Sequence, residues 1–162
     1  MSGQRFVPVL VDGGEIVSDS PAIIDWLERR VPDPPLFPRE PARHAEVRVF
    51  VDWFNNAWKR PPNLIAAEEE KPQPDAARIA ELAARMRGSI PFFEGLLDGR
   101  DYLFGDFGAA DVIAFPFLKY AVFGAPADDD ERFHHILVEH QALDASSPLR
   151  AWAERVDAHP RS

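Results

Sequence analysis

Apolar residues first concentrate in the run 6–11, Phe6-Val7-Pro8-Val9-Leu10-Val11, where both alternating sets, Phe6/Pro8/Leu10 and Val7/Val9/Val11, are hydrophobic. A strand with two apolar faces belongs inside a sheet covered on both sides. Asp12-Gly13-Gly14 follows as a turn, because glycine accepts the positive φ that tight hairpin turns need. A second strand through Ile16-Val17 then closes a predicted hairpin over 6–17. Ser20-Pro21 marks a helix start, with serine as N-cap and proline at the first helical position. Ala22, Ile23, Trp26, Leu27 and Val31 supply that helix's apolar stripe, and its end is expected near Arg30. The first strand thus asks for sheet partners that the remaining sequence does not offer.

Prolines 32, 34, 35, 38 and 41 make 31–41 an extended, stiff connection. Beyond it the pattern changes to helical spacing. Segment 42–59 carries Ala45, Val49, Trp53 and Ala57, and Lys59-Arg60-Pro61-Pro62 forces a bend or break. Segment 75–97 starts at Asp75 and carries Ile79, Leu82, Ala83 and Met86, with Pro91 expected to kink or interrupt it. Segments 109–123, 128–142 and 148–158 complete a bundle of roughly five helices. The most buried is predicted to be 109–123, from Ala109, Ala110, Val112, Ile113, Ala114, Phe115, Phe117 and Leu118. Trp26, Trp53, Trp58 and Trp152 read as core fillers.

Composition narrows the chemistry. A chain of 162 residues, 46% hydrophobic, supports one good core. A net charge of -9 argues against nucleic acid, whose phosphates need surplus Lys and Arg. Cysteine is absent, which excludes disulfides, thiolate metal ligands and a cysteine nucleophile within the chain. No apolar run is long enough for a membrane span, and residues 1–5 lead into the first strand without a signal-peptide core, so a soluble, cytoplasmic protein is expected. His134, His135 and His140 lack the one-face spacing of a metal pair and read as surface or polar-network groups, so no metal is expected. Asp128-Asp129-Asp130-Glu131 lacks the glycine and alternating ligands of a calcium loop and reads as an acidic first helical turn.

Two local features could carry chemistry. Val7-Pro8 is either an edge-strand proline or a cis proline that turns a strand backbone toward a peptide-like ligand. Asp19-Ser20 is either a simple cap or, through the free N–H groups and positive end of a helix, a carboxylate site. A proline-turned strand opposite a carboxylate-binding helix start, separated by one hairpin, is more specific than either part.

With these pieces in this order, the sequence resembles the glutathione transferase family. The hairpin and capped helix are similar to the second half of its thioredoxin-like domain, and Val31-Pro32 through Leu36-Phe37-Pro38 to its interdomain linker. Arg43 to Trp58 resembles the first long helix of its helical domain. Tyr102-Leu103-Phe104-Gly105-Asp106-Phe107-Gly108-Ala109-Ala110-Asp111 resembles its folding-motif segment, and Pro148-Leu149-Arg150-Ala151-Trp152 with Arg155 and His159-Pro160 its closing helix.

The resemblance implies a mainly α fold: the family's all-helical C-terminal bundle over 42–162, a linker over 32–41, and a partial thioredoxin-like hairpin and helix over 1–31. It implies that Val7, before a cis Pro8, pairs its backbone with the cysteinyl unit of glutathione, while Asp19 and Ser20 hold the γ-glutamyl end. Phe50, Trp53 and Asn56 would face the acceptor cleft, although the two aromatics also read as core. Gly108 stands where the family usually has Ser or Thr; Asp111 keeps the other half of the capping box, so Gly108→Ser is expected to stabilise by a few tenths to about 1 kcal/mol. The family's thiol-activating Tyr, Ser or Cys lies in elements preceding the hairpin, so the chain reads as an N-terminally shortened member with no catalytic residue. Tyr102, Tyr120, Ser18 and Ser20 stand in the wrong positions for that role.

In complete form the implied function is conjugation of glutathione, as co-substrate, to electrophilic small molecules by a homodimer, without metal. The alternative is a non-catalytic helical module kept for interaction or dimerisation. On its own the chain is expected to bind glutathione poorly and to show no thiol transfer.

Overall fold

The computed structural model describes residues 8–160. Strands β1 (Val9–Asp12) and β2 (Glu15–Ser18) pair antiparallel with Val9 opposite Ser18 and Asp12 opposite Glu15. Gly13 and Gly14 both take positive φ, 54° and 88°, which matches the right-handed twist of the flanking strands. Among the described residues this sheet has only these two strands. Val11 is 68% and Ile16 46% exposed. Arg30, at the end of helix α1 (Ser20–Arg30), reaches back to Asp12 at 3.4 Å and Glu15 at 3.2 Å while its guanidinium lies over Trp26. The hairpin is thereby fastened to its own helix by contacts that, at this exposure, contribute about 0–1 kcal/mol each.

The helical part is α2 (Pro41–Trp53), a π-helical turn (Phe54–Trp58), α3 (Arg60–Glu69), α4 (Ala76–Leu96), α5 (Ala109–Leu118), α6 (Tyr120–Phe123), α7 (Arg132–His140) and α8 (Pro148–Asp157). The mainly helical architecture is the expected one, and several details differ. The break expected at 59–62 is the start of a further helix, α3, because Pro61 and Pro62 sit in its first turn, where missing N–H groups cost nothing. Helix α4 starts at Asp75, whose Oδ1 accepts from the Ala77 and Arg78 N–H groups, and runs unbroken through Pro91. The expected helix 109–123 divides at Lys119 into α5 and α6. Helix α7 begins after the acidic run, not within it: Asp129 caps from outside by accepting the Glu131 N–H at 3.1 Å.

The apolar face of α2 also differs. Ala45 and Ala57 are exposed and Val49 is 68% exposed, whereas Val47, Phe50, Val51, Phe54 and Trp58 fill the core. Small and β-branched residues on the outer face imitate an apolar stripe, and the larger aromatics mark the true one. Phe54 and Trp58 stack at 4.5 Å, and Phe93 meets both edge-on.

Helix α5 is the central element, with Ala109, Ala110, Asp111, Ile113, Ala114 and Leu118 buried. Asp111 is fully buried and gathers three segments: Oδ1 accepts from the Leu103 N–H at 3.0 Å and from Trp152 Nε1 at 2.8 Å, and Oδ2 from the Gly108 N–H at 3.0 Å. Burial pushes its carboxyl up, against the pull of these donors. Trp152, with no exposed surface, thus ties α8 to the helix at the centre of the core. Arg132 closes the outside by chelating Glu69 on α3 and Glu139 on its own helix.

Connection 31–40 is pinned to the bundle. Phe37 is buried, stacks on His44 and lies under the Arg48 guanidinium, which also pairs with Asp25 of α1. The Leu36 carbonyl accepts the Ala109 N–H at 2.8 Å. At that crossing a Cβ on Gly108 would lie 2.6 Å from the Leu36 oxygen. Gly108 has ordinary extended dihedrals (φ -164°, ψ -164°), so what demands glycine is the close approach of a second backbone, not torsion. The expectation that serine would improve this cap is therefore corrected: its side chain has no room.

Candidate functional site

The hairpin brings two of the candidate residues together. The pairing Val9–Ser18 is continued by the Asp19 N–H, which donates to the Pro8 carbonyl at 3.2 Å. Pro8 therefore stands beside the start of α1. Val7 and the Val7–Pro8 peptide bond lie outside the described residues. Helix α1 begins at Ser20, so Asp19 and not Ser20 is its N-cap. Asp19 Oδ1 accepts the Ser20 N–H at 2.9 Å, and the Asp19 carbonyl accepts the Ile23 N–H at 3.0 Å.

Asp19 takes φ 80° and ψ 137°, a conformation that side-chain-bearing residues rarely adopt and that costs about 1–3 kcal/mol. It persists because its N–H, its carbonyl and its carboxylate are each held. The second oxygen, Oδ2, takes no hydrogen bond from α1 among the described residues and is approached from the helical bundle. Beside it stand donors without acceptors among the described residues: the Ser20 hydroxyl and the Ala22 N–H at the positive end of α1. An anionic oxygen next to open donors at a helix start suits a group carrying an ammonium and a carboxylate on one carbon.

The helical bundle faces this point with residues that sequence reasoning did not select. Asn55 Nδ2 lies 3.4 Å from Asp19 Oδ2, and Lys59 Nζ donates to Asn55 Oδ1 at 2.8 Å. The Lys59 ammonium sits 4.7 Å from the Phe117 ring centroid and 5.9 Å from that of Phe54. Burial lowers the Lys59 pKa, and the charge of Asp19 opposes that shift. Asn56, expected in a cleft, is exposed, and its neighbour Asn55 holds the inward position. The π-helical turn sets this phase: the Lys59 N–H bonds the Phe54 carbonyl, five residues back, at 3.1 Å. An Asn and a Lys four apart were visible in the sequence, but the extra residue in the turn that aims them was not.

Phe50 is core, as its hydrophobicity suggested, and Trp53 is half-buried. Together with Val49, Phe92 (47% exposed), Phe104 and Glu46 they line a shallow apolar groove. A larger groove, about 600 Å³, runs between connection 34–40 and residues 104–111, away from Asp19, and the Arg43 guanidinium spans it to the Phe104 carbonyl at 2.7 Å. His134 pairs with the Asp129 carboxylate at 2.8 Å, and His135 with the Asp129 carbonyl at 2.7 Å, so both serve the start of α7. Among the described residues no helix is long and apolar enough to cross a membrane.

Comparison with known proteins agrees with this architecture. Residues 1–35 match the family model described as "Glutathione S-transferase, N-terminal domain". The chain is 47% identical to a maleylacetoacetate isomerase of Pseudomonas aeruginosa, over 99% of this chain and 70% of that protein. It is 29% identical to FtsZ-localized protein A of Caulobacter vibrioides, over 64% of this chain and 53% of that protein. Two further curated relatives are each spanned over only 62% of their length. Among solved structures, a theta class glutathione S-transferase from Xanthomonas axonopodis pv. citri with glutathione bound superposes with a TM-score of 0.65 at 26% identity, over 94% of this chain and 74% of that one.

Proposed function

The chain belongs to the glutathione S-transferase family, and from that premise we propose that the whole protein is a glutathione-dependent enzyme of electrophilic small molecules. The observation that carries the proposal is the start of α1, where Oδ2 of Asp19, approached at 3.4 Å by the Asn55 amide, stands beside the Ser20 hydroxyl and Ala22 N–H, which have no partner among the described residues. There the Asp19 carboxylate receives the ammonium of the γ-glutamyl unit, and the helix start receives its carboxylate. The backbone of Val7, before Pro8, pairs with the cysteinyl unit. This fixes the tripeptide so that its thiol meets the acceptor as an intramolecular reactant. The bundle, residues 42–162, supplies the acceptor wall, and 1–31 belong to the thioredoxin-like unit. No residue of the chain is assigned to thiol activation. A maleylacetoacetate isomerase relative suggests unsaturated acids among the acceptors. A cytoplasmic homodimer that needs no metal completes the reading.

Calorimetric titration of the protein with glutathione tests this, with Ser20→Ala and Asp19→Ala as comparisons. Each variant is expected to weaken binding by about tenfold, the loss of one charge-assisted hydrogen bond. Unchanged affinity in both would refute the site. The alternative, a non-catalytic interaction module, is favoured by one observation, the relationship to FtsZ-localized protein A. Under it, glutathione binding is absent and both variants keep every partner interaction.

A further inference from the structure

We propose that Asn55 and Lys59 are positioning residues of the glutathione site: Lys59 fixes the orientation of the Asn55 amide, and that amide holds the Asp19 carboxylate where it receives the ligand's ammonium group. The inference rests on the reading of Asp19 and Ser20 as that site, and adds to it a second half supplied by the helical bundle.

Donor and acceptor inventories fix the orientation of the Asn55 amide. An asparagine amide has two orientations of nearly equal shape, one end donating and the other accepting. Lys59 can only donate, and the ionised Asp19 can only accept. With Oδ1 toward Lys59 and Nδ2 toward Asp19 both contacts are attractive, as observed at 2.8 and 3.4 Å. The reverse orientation opposes donor to donor and oxygen to oxygen. The Lys59 ammonium is itself restrained, half-buried over the Phe117 and Phe54 faces, and the described residues place no carboxylate within ion-pair contact of it. Among the described residues its hydrogen-bond acceptor is Asn55 Oδ1.

The consequence falls on Asp19. Its positive φ must be enforced by its surroundings. Three restraints come from the hairpin and α1: the Pro8 carbonyl, the Ile23 N–H and the Ser20 N–H. Asn55 is the restraint that comes from the bundle, and it acts on the oxygen left for a ligand. At 3.4 Å its contact is long, so it orients Oδ2 without filling it. The π-helical turn that carries Asn55 is the local departure that makes this reach.

A double-mutant cycle tests the inference, with glutathione binding followed by equilibrium dialysis at millimolar ligand. Asn55→Ala is expected to weaken binding about 3- to 10-fold. Lys59→Met should act in the same direction by less, and Lys59→Arg should recover much of that loss, because it restores a donor to Oδ1. In an Asp19→Ala background, Asn55→Ala should have no further effect. A full Asn55 effect in that background, or none in the parent, overturns the inference. If Asp19→Ala leaves binding unchanged, or the parent takes up no glutathione, the site reading itself fails and the inference falls with it. A ligand-free measurement separates the two cases. Hydrogen exchange at the Ser20 amide, which donates to Asp19, should accelerate in Asn55→Ala and Lys59→Met and return toward the parent rate in Lys59→Arg. Equal exchange in all of them overturns the positioning role whatever glutathione does.

Discussion

Replacing Gly108 with alanine or serine should destabilise the protein. The added Cβ would stand 2.6 Å from the Leu36 carbonyl oxygen, 0.8 Å inside the 3.4 Å lower edge of ordinary contact. The obstacle is backbone, so no rotamer relieves it. Connection 31–40 must move, and the 2.8 Å bond from the Ala109 N–H to Leu36 stretches or breaks. That bond contributes about 0.5–1.5 kcal/mol, and forcing a packed segment apart costs about 1–3 kcal/mol. Removing a glycine from the unfolded chain returns about 0.4–1 kcal/mol. The net is a loss of about 2 kcal/mol, or about 4–8 °C in thermal midpoint for a chain of this size. Urea denaturation and a thermal melt read by circular dichroism measure it, with Gly88→Ala as the control. Gly88 lies inside α4 with nothing within 4 Å of its added Cβ, so there alanine should stabilise by about 0.5–1 kcal/mol. A Gly108 variant that melts at or above the parent would refute the close-approach argument.

Two further outcomes follow from the buried and capping carboxylates. Trp152→Phe removes one of three donors to the buried Asp111 and should cost about 1–3 kcal/mol by chemical denaturation, whereas a loss of a few tenths would mean that Asp111 finds another donor. Glu68 bridges the end of α3 to the start of α4; the Lys71 ammonium and then the Asp75 N–H hold its carboxyl below the ordinary 4.5. A depressed carboxyl contributes stability that is present above the ordinary value and lost as pH falls through the folded one. Glu68→Gln should therefore flatten the acid-side fall of thermal midpoint below about pH 4.5, and an unchanged slope would contradict this.

Local signals carried the sequence reading far. The Gly13-Gly14 turn, the Asp75 cap and the Asp111 anchor were all legible because each follows from a residue type at a fixed offset. The convergence of Pro8 and Asp19 was legible for the same reason, since a two-residue turn sets the register. What escaped were features made by contacts distant in sequence. Gly108 looked like a tolerable cap because nothing in its neighbourhood announces Leu36. The outer stripe Ala45/Val49/Trp53/Ala57 looked like the core face of α2 because periodicity alone does not say which apolar face is larger. Asn55 and Lys59 escaped because a π-helical turn is a local insertion with no sequence signature, and it is this turn that faces them toward Asp19.

The proposed γ-glutamyl site at the start of α1 stands or falls on contact between glutathione and the groups around Asp19. Backbone and side-chain amide spectra of the isotope-labelled chain, recorded while glutathione is added into the millimolar range, test it most directly. Concerted shifts are expected at the Ser20 and Ala22 amides and at the Asn55 side-chain amide, all lost in Asp19→Ala. Spectra that leave those three signals in place, or that move only the residues of the groove around Leu36 and Phe104, would contradict it.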